Sequence, residues 1–258
     1  MLLHEFDSSQ VAMFNPTTAH QPVPGMPRVA VSCFSFVTFQ RLLEGLDAQP
    51  IAQMKTASQV YPIYKAVYKG VEVALYLSGV GAPVCVGSLE ELFVMGVETV
   101  VLFGTCGVLD REIGDCSIIL PTSALRDEGT SYHYAPPGDE IAVNARYGQL
   151  FTDMLEELHI GYASGKCWTT DAMYRETREK VARRKEQGCI CVDMECSACG
   201  AVAQFRGRDV LQFFYAADNL DAEEWDARSL SNHALLEEKD RIALLALEAA
   251  VRISNTTR

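Results

Sequence analysis

The chain has 258 residues, 48% of them hydrophobic, with nine cysteines and a formal net charge of −12. That length suits one large α/β domain, and roughly three quarters of the unfolded surface is removed from water when a chain of this size folds. The acidic balance argues against a general nucleic-acid binder, which needs a basic face to displace counterions from phosphates, but it is compatible with a small anionic substrate if the site is locally positive or rich in amide donors.

Residues 1–28 are punctuated by Pro16, Pro22, Pro24 and Pro27, and each proline removes a backbone donor. They read as an extended arm lying over the fold or over a neighbouring subunit. Residues 29–258 read as one domain. Val29 to Phe36 is a β-rich run, and Thr38 to Leu46 places Phe39, Leu42, Leu43 and Leu46 at helical spacing. Tyr61 to Tyr68 and Val71 to Leu77 flank the turn Lys69-Gly70 and predict a hairpin. Gly79-Val80-Gly81 opens a helix that runs through Met95 and stops at Gly96. The apolar run from Thr99 to Phe103 predicts a buried strand leading into Gly104-Thr105-Cys106-Gly107, and a further strand from Ser117 to Leu120 is predicted to stop at Pro121.

Residues 126–140 form a polar loop, after which Asn144 is expected to cap a helix to Leu158. Strands are predicted at 166–170, 189–194 and 210–217, and helices at 176–187, 196–205 and 230–253. Alternating strands and helices imply a mostly parallel sheet with helices on both faces. No window approaches the ~18 continuous apolar residues of a membrane span. The N-terminus lacks the basic and apolar regions of a signal peptide, and cysteines scattered in apolar runs point to reduced thiols in the cytoplasm.

Ligands of open α/β sheets gather at the carboxyl ends of strands, and four such ends carry unusual residues. At Gly79-Val80-Gly81 a ligand can approach the backbone closely, and the helix that follows aims amide donors at an anion; a plain tight turn is the alternative. Thr105, in the second glycine loop, is placed to hydrogen-bond a phosphate oxygen, or simply to cap a turn. In Val192-Asp193-Met194-Glu195, a glutamate ending an apolar strand is costly unless partnered, and a carboxylate accepting two hydroxyls suits a ribose diol. A helix-start acid stabilised by the macrodipole accounts for it equally. Asp218 ends the strand before it and is placed to share a proton with a leaving group once its pKa is raised; an Asx turn with Asn219 is the alternative.

These segments, in this order, resemble the purine nucleoside and uridine phosphorylases of the nucleoside phosphorylase family. Gly104-Thr105-Cys106-Gly107 with Gly114-Asp115 is similar to the phosphate loop. Residues 126–136 resemble the loop after it, Thr170-Asp171-Ala172-Met173-Tyr174 the base-stacking strand end, and Val192-Asp193-Met194-Glu195 the ribose motif; Asp218 falls where the purine-cleaving members keep a catalytic aspartate. The resemblance implies a three-layer α/β/α sandwich around a twisted, mixed, partly barrel-like sheet, in a homodimer or a hexamer built from dimers. It implies phosphorolysis of a ribonucleoside to base and ribose 1-phosphate, with phosphate as co-substrate and no metal or organic cofactor. Carried over, Asp218 is catalytic. Glu195, Met194 and Met173, with Asp193 of the same motif, bind substrate, and Gly81 and Thr105, with Gly104, serve the phosphate. Outside the carry-over, His133 in the polar loop is placed to donate to substrate, simple solvation being the alternative, and Arg126 is a candidate phosphate ligand. His4 is the counterpart of an N-terminal histidine that reaches a neighbouring subunit's ribose.

The chain departs from that pattern at the phosphate-binding arginines. Leu102 stands two residues before the glycine loop, Ser32-Cys33-Phe34-Ser35-Phe36 occupies the first strand end, and no arginine lies between Leu42 and Thr105. Fixed guanidinium groups are the strongest oxyanion clamps, so Arg28, Arg41 or Arg126 would have to replace them. A hydrolytic nucleosidase and a non-catalytic nucleoside-binding protein are the alternatives. Cys189, Cys191, Cys196 and Cys199 fall within eleven residues, but sit on a strand and the helix after it, and read as core rather than zinc ligands. Trp168 and Trp225 have the rings to stack a base, with buried core the commoner use. Residues 223–226 read as an exposed helix start, with a lid over the site as the other reading.

Overall fold

The structure, a computed structural model, describes residues 2–231 and 233–256; Met1, Asn232, Thr257 and Arg258 lie outside the described residues. Its strands are β1 (Val29–Cys33), β2 (Gln49–Lys55), β3 (Val60–Tyr68), β4 (Val71–Leu77), β5 (Thr99–Val108), β6 (Ile118–Asp127), β7 (Glu140–Ala142), β8 (Tyr162–Thr170), β9 (Cys189–Asp193) and β10 (Asp209–Asn219). The helices are α1 (Pro16–Ala19), α2 (Phe36–Leu46), α3 (Ala82–Met95), α4 (Gly148–Glu157), α5 (Arg178–Glu186), α6 (Cys196–Arg206) and α7 (Leu236–Thr256).

The strands form one mixed sheet in the order β10-β6-β8-β9-β5-β1-β4-β3-β2, with β7 on β6 and β10 pairing back onto β5. That last pairing closes β5, β9, β8, β6 and β10 into a five-stranded barrel, from which β1, β4, β3 and β2 extend as an open sheet. Parallel and antiparallel neighbours are evenly matched: β1 is parallel to β4 and β5, whereas β9 is antiparallel to β5 and β10 to β6. The sheet is therefore less parallel than strand–helix alternation alone suggests.

β5 is the hinge of this plan. Its first half, residues 99–103, pairs with β1, and its end, Gly107 and Val108, pairs with β9 on the same side, while β10 follows it along the other. Between Phe103 and Gly107 the strand leaves one partner and takes the next, so β1 and β9 diverge and leave a wedge at their carboxyl ends. This is a topological switch point, where α/β sheets hold their ligands.

Period-two alternation puts Val101 and Phe103 in one core with Phe151, Phe213 and Leu247, under α2, α4 and α7. Val100 and Leu102 enter the opposite core, with Leu89 and Val202 under α3 and α6. The barrel interior is filled by residues that include Cys106, Ile119, Ala124, Cys167, Cys191 and Phe214. A five-stranded barrel is narrow, and cysteine is a small apolar filler. Of the suspected zinc cluster, Cys191 and Cys196 enter the barrel core, Cys199 packs under α3, and Cys189 lies beside Trp168.

Several boundaries differ from expectation. β6 continues through Pro121 because the strand shifts register between Pro121 and Ser123, where the missing N–H interrupts no ladder bond. Asn144 does not cap α4; its amide nitrogen donates to the carbonyls of Pro121 and Gln212 and ties β6 to β10. β2 is an edge strand whose residues are exposed or half-buried apart from Met54, so its sequence has no two-residue alternation to read. The N-terminal residues lie along α3 and α6: Gln10 donates to the Phe205 carbonyl, Val23 N–H to the Met95 carbonyl, and Phe6 meets Phe205 edge-on.

Candidate active site

The wedge beside β5 opens into three connected compartments. The innermost, about 210 Å³, lies against Phe34, Ser35, Thr38, Gly104, Thr105 and Lys239. The middle one, about 240 Å³, adds Gly107, Met194, Glu195 and Asp218. The outermost and largest, about 540 Å³, is bounded by Met173, Glu176, Asp218, Leu220 and Trp225. Leu230 borders all three.

Each polar group is placed by a local feature. Ser35 is the N-cap of α2 and accepts from Thr38 N–H at 3.3 Å, so the start of α2, with its uncompensated amides, faces the innermost compartment. Gly104 is close-packed: a Cβ there would lie 2.6 Å from the Phe34 ring. Thr105 sits on the stretch of β5 between its two partners, and its hydroxyl has no hydrogen-bond partner among the described residues.

Glu195 stands at the N-cap position of α6, is 5% exposed, and accepts Gly81 N–H at 2.5 Å. Burial, reinforced by the neighbouring Asp193 carboxylate, holds its pKa well above the ordinary carboxylate range, and the Gly81 amide opposes that shift. Asp193 supports it from beneath: Oδ2 accepts the N–H groups of Glu195 and Cys196, and Oδ1 accepts the Thr169 hydroxyl at 2.7 Å.

Asp218 owes its position to a bulge. The register of β10 against β5 shifts between Ala216 and Asp218, leaving Ala217 as the extra residue and turning the carboxylate toward Gly107 and the cleft. Oδ2 accepts the Trp225 indole N–H at 2.8 Å, and burial raises the pKa of the acid. Glu176 borders the same two outer compartments; burial and the nearby Asp218 charge push it up to about 7.

The structure thus gathers Asp218, Glu195, Met194, Met173, Thr105 and Gly104 around one cleft. Asp193 lines the middle compartment too, from beneath Glu195, and the other three expected site residues make their contacts elsewhere. Gly81 directs its amide to Glu195 rather than to an anion. Arg126 is 6% exposed and turned into its own loop, donating to Ser131 Oγ at 2.8 Å and the Pro136 carbonyl at 2.7 Å while stacking on Tyr132. His133 is the exposed last residue of a 3-10 turn (Thr130–His133) that packs on α6 and α3. Asp193 is a cap and brace, its oxygens engaged internally. His4 lies in a one-turn 3-10 helix beside that same loop.

Glu176, at the end of a charged helical segment, and Lys239, on a packing helix, carry no local sign of the site. Trp225 is 63% exposed and bonded to Asp218, so of its two readings it is the core one that fails. Residues 223–226 form an irregular segment bridged to Asn219, not a helix start. The only sequence cue for Trp225 was its closeness to Asp218.

The family model described as the phosphorylase superfamily matches residues 28–253. The chain belongs to the phosphorylase superfamily. Among members, it is 32% identical over 169 residues to a guanosine phosphorylase of Halorubrum lacusprofundi, covering 62% of this chain and 65% of that protein. It is 26% identical over 195 residues to a purine nucleoside phosphorylase of Bacillus cytotoxicus, covering 73% and 80%. The chain thus spans slightly less than two thirds of the Halorubrum protein's length. Solved superfamily structures share its fold. A uridine phosphorylase from Vibrio fischeri superposes with a TM-score of 0.76 at 22% identity over 93% of this chain and 99% of the other. A purine nucleoside phosphorylase from Toxoplasma gondii, in complex with immucillin-H, gives 0.76 at 20% identity over 90% and 93%.

Proposed function

We propose that this superfamily member is a nucleoside phosphorylase acting on purine ribonucleosides. The observation that carries the reading is the order of chemistry along one cleft: hydroxyls, a helix N-terminus and an ammonium innermost, one buried carboxyl group in the middle, and two carboxyls of raised pKa with an indole outermost. Phosphate, ribose and base fit that order.

Glycosidic cleavage passes through an oxocarbenium-like sugar. Glu195, fixed by Gly81 N–H, accepts the ribose hydroxyls, and those donors with the developing cation favour its ionised form against the burial that raises its pKa. The C1′–N bond breaks with its electron pair going to the base, and a phosphate oxygen forms the new C1′–O bond. The departing base takes a proton from the Asp218–Glu176 pair, which retains one near neutral pH because two buried carboxylates resist double ionisation. Base and ribose 1-phosphate result, and no step calls for a metal or an organic cofactor. The purine preference is supported by the position of Asp218 and by the guanosine and purine relatives.

We further read residues 29–258 as one domain preceded by an arm, assembled as a homodimer or a hexamer of dimers. The nine cysteines as free thiols support a reducing, cytoplasmic setting. Among the described residues no helix is long and apolar enough to cross a membrane. The deciding experiment is base release from guanosine, inosine, adenosine and uridine with and without phosphate. Phosphate-dependent release with ribose 1-phosphate supports the reading. Equal release without phosphate, giving free ribose, makes the protein a hydrolase, and binding without release makes it a sensor.

A further inference from the structure

The innermost compartment has the shape and donors of an oxyanion site, yet no arginine among the described residues borders it. Its one charged side chain is Lys239, in the first turn of α7. The residue is 2% exposed. Its Nζ donates to the carbonyls of Ser229 at 2.8 Å and Ser231 at 2.7 Å. An ammonium has three donors, and the third has no acceptor among the described residues. No carboxylate there lies within ion-pairing distance. Asp115 is one residue removed, accepting the Ser229 hydroxyl at 2.5 Å.

Burying an ammonium without a counter-ion is costly, and proteins usually pair it or leave the position to an apolar residue. A packing role for α7 requires neither the charge nor the position. Around the compartment, Thr105 presents its hydroxyl, Thr38 donates its own to Ser35 Oγ at 3.1 Å, the start of α2 presents amides, and no carboxylate intrudes. About 210 Å³ is room for several waters at about 30 Å³ each, or for one tetrahedral oxyanion with a water.

We propose that Lys239 is the fixed positive charge of this compartment and binds the phosphate co-substrate in place of the absent arginines. The proposal rests on the phosphorolytic reading above. The two carbonyls orient the ammonium, and phosphate supplies the missing counter-ion. Lysine acts there as a point charge, and the Thr105 hydroxyl with the α2 amides supplies the directionality a guanidinium fork would give. Burial lowers the lysine pKa from its ordinary value, an effect that a bound dianion would reverse.

The test is calorimetric titration of the full chain with inorganic phosphate and, separately, with guanosine, alongside KM for each. In Lys239→Gln the Kd and KM for phosphate should rise at least tenfold, while guanosine affinity stays within about threefold; Lys239→Arg should lie nearer the wild type. Unchanged phosphate affinity in Lys239→Gln, or parallel loss of both ligands, overturns the proposal, since parallel loss marks a prop for the Ser229–Ser231 segment. If Lys239→Gln does not fold, crystals of the wild type grown with sulfate decide: an oxygen must sit within hydrogen-bond distance of Nζ, and sulfate seated elsewhere overturns the assignment. Phosphate bound at Lys239 without phosphate-dependent base release would refute the phosphorylase reading while leaving the anion site intact. Phosphate-dependent release with a normal phosphate KM in Lys239→Gln would do the reverse.

Discussion

Replacing Glu195 by glutamine should make the protein more stable and much less active, and the two effects share one cause. The wild-type carboxyl group is 5% exposed, accepts the Gly81 N–H with the Met194 amide also favouring its charge, and lies beside Asp193. With its pKa raised in the fold, stability falls as pH rises from the ordinary carboxylate range through the folded value, because the unfolded chain ionises first. Glutamine is nearly isosteric, keeps the carbonyl oxygen that accepts Gly81 N–H, and carries no charge to desolvate. Removing that charge should add on the order of 1–2 kcal/mol above pH 6, within the range for an under-partnered buried group, and shrink toward zero near pH 4. For a chain of this size Tm should rise by roughly 2–8 °C. Losing charge-assisted bonds of about 1.5–3 kcal/mol to the ribose should lower kcat/KM by roughly 10- to 150-fold. Scanning calorimetry across pH and steady-state phosphorolysis measure both. A variant that melts lower at neutral pH yet turns over normally would refute the placement of Glu195 as a strained, substrate-facing carboxylate.

Asp218→Asn should lower kcat by about 100-fold or more, with little change in nucleoside KM, if the acid protonates the leaving base; stopped-assay kinetics on guanosine check this. Because Glu176 titrates at about 7 and acts protonated, kcat/KM should fall as pH rises through that value, and Glu176→Gln should remove that limb; a profile identical to wild type would discount the residue. Gly104→Ala forces a Cβ to 2.6 Å from the Phe34 ring, so it should cost about 1–3 kcal/mol of stability and raise phosphate KM together; thermal melts with kinetics test the pairing. Arg126→Ala should destabilise by about 2–4 kcal/mol through the lost bonds to Ser131 and Pro136, with phosphate KM unchanged in the folded fraction.

How far the sequence could be read depended on whether a residue's task was local. Strands such as Thr99 to Phe103 are apolar on both faces and announce burial, and Gly96 stops its helix with φ 120°. Glu195 and Asp218 were legible because an acid closing an apolar run is anomalous wherever it occurs. Arg126 misled because its sequence position next to a conspicuous loop says nothing of which way the guanidinium turns, and here the loop's own carbonyls satisfy it. Gly81 misled for a related reason: its amide faces the right wedge, but a carboxylate 114 residues later takes it. Lys239 had no local signature. It lies in an ordinary amphipathic helix, and only closure of the sheet brings it opposite Thr105. Barrel closure left no periodic trace either, since the β10–β5 pairing joins strands far apart in the chain, and only the family resemblance led to expecting it.

The divergence of β1 and β9 from β5 has a mechanical consequence. The five-stranded barrel and the four-stranded flap beyond it are continuous along only the first half of β5. A ligand that touches Phe34 and Ser35 on one jaw and Met194 and Glu195 on the other acts as a rivet across the open seam. Occupancy should therefore slow amide exchange on both jaws at once, including at β4, which touches neither sugar nor base, and an empty cleft should leave the flap as the first part of the molecule to peel.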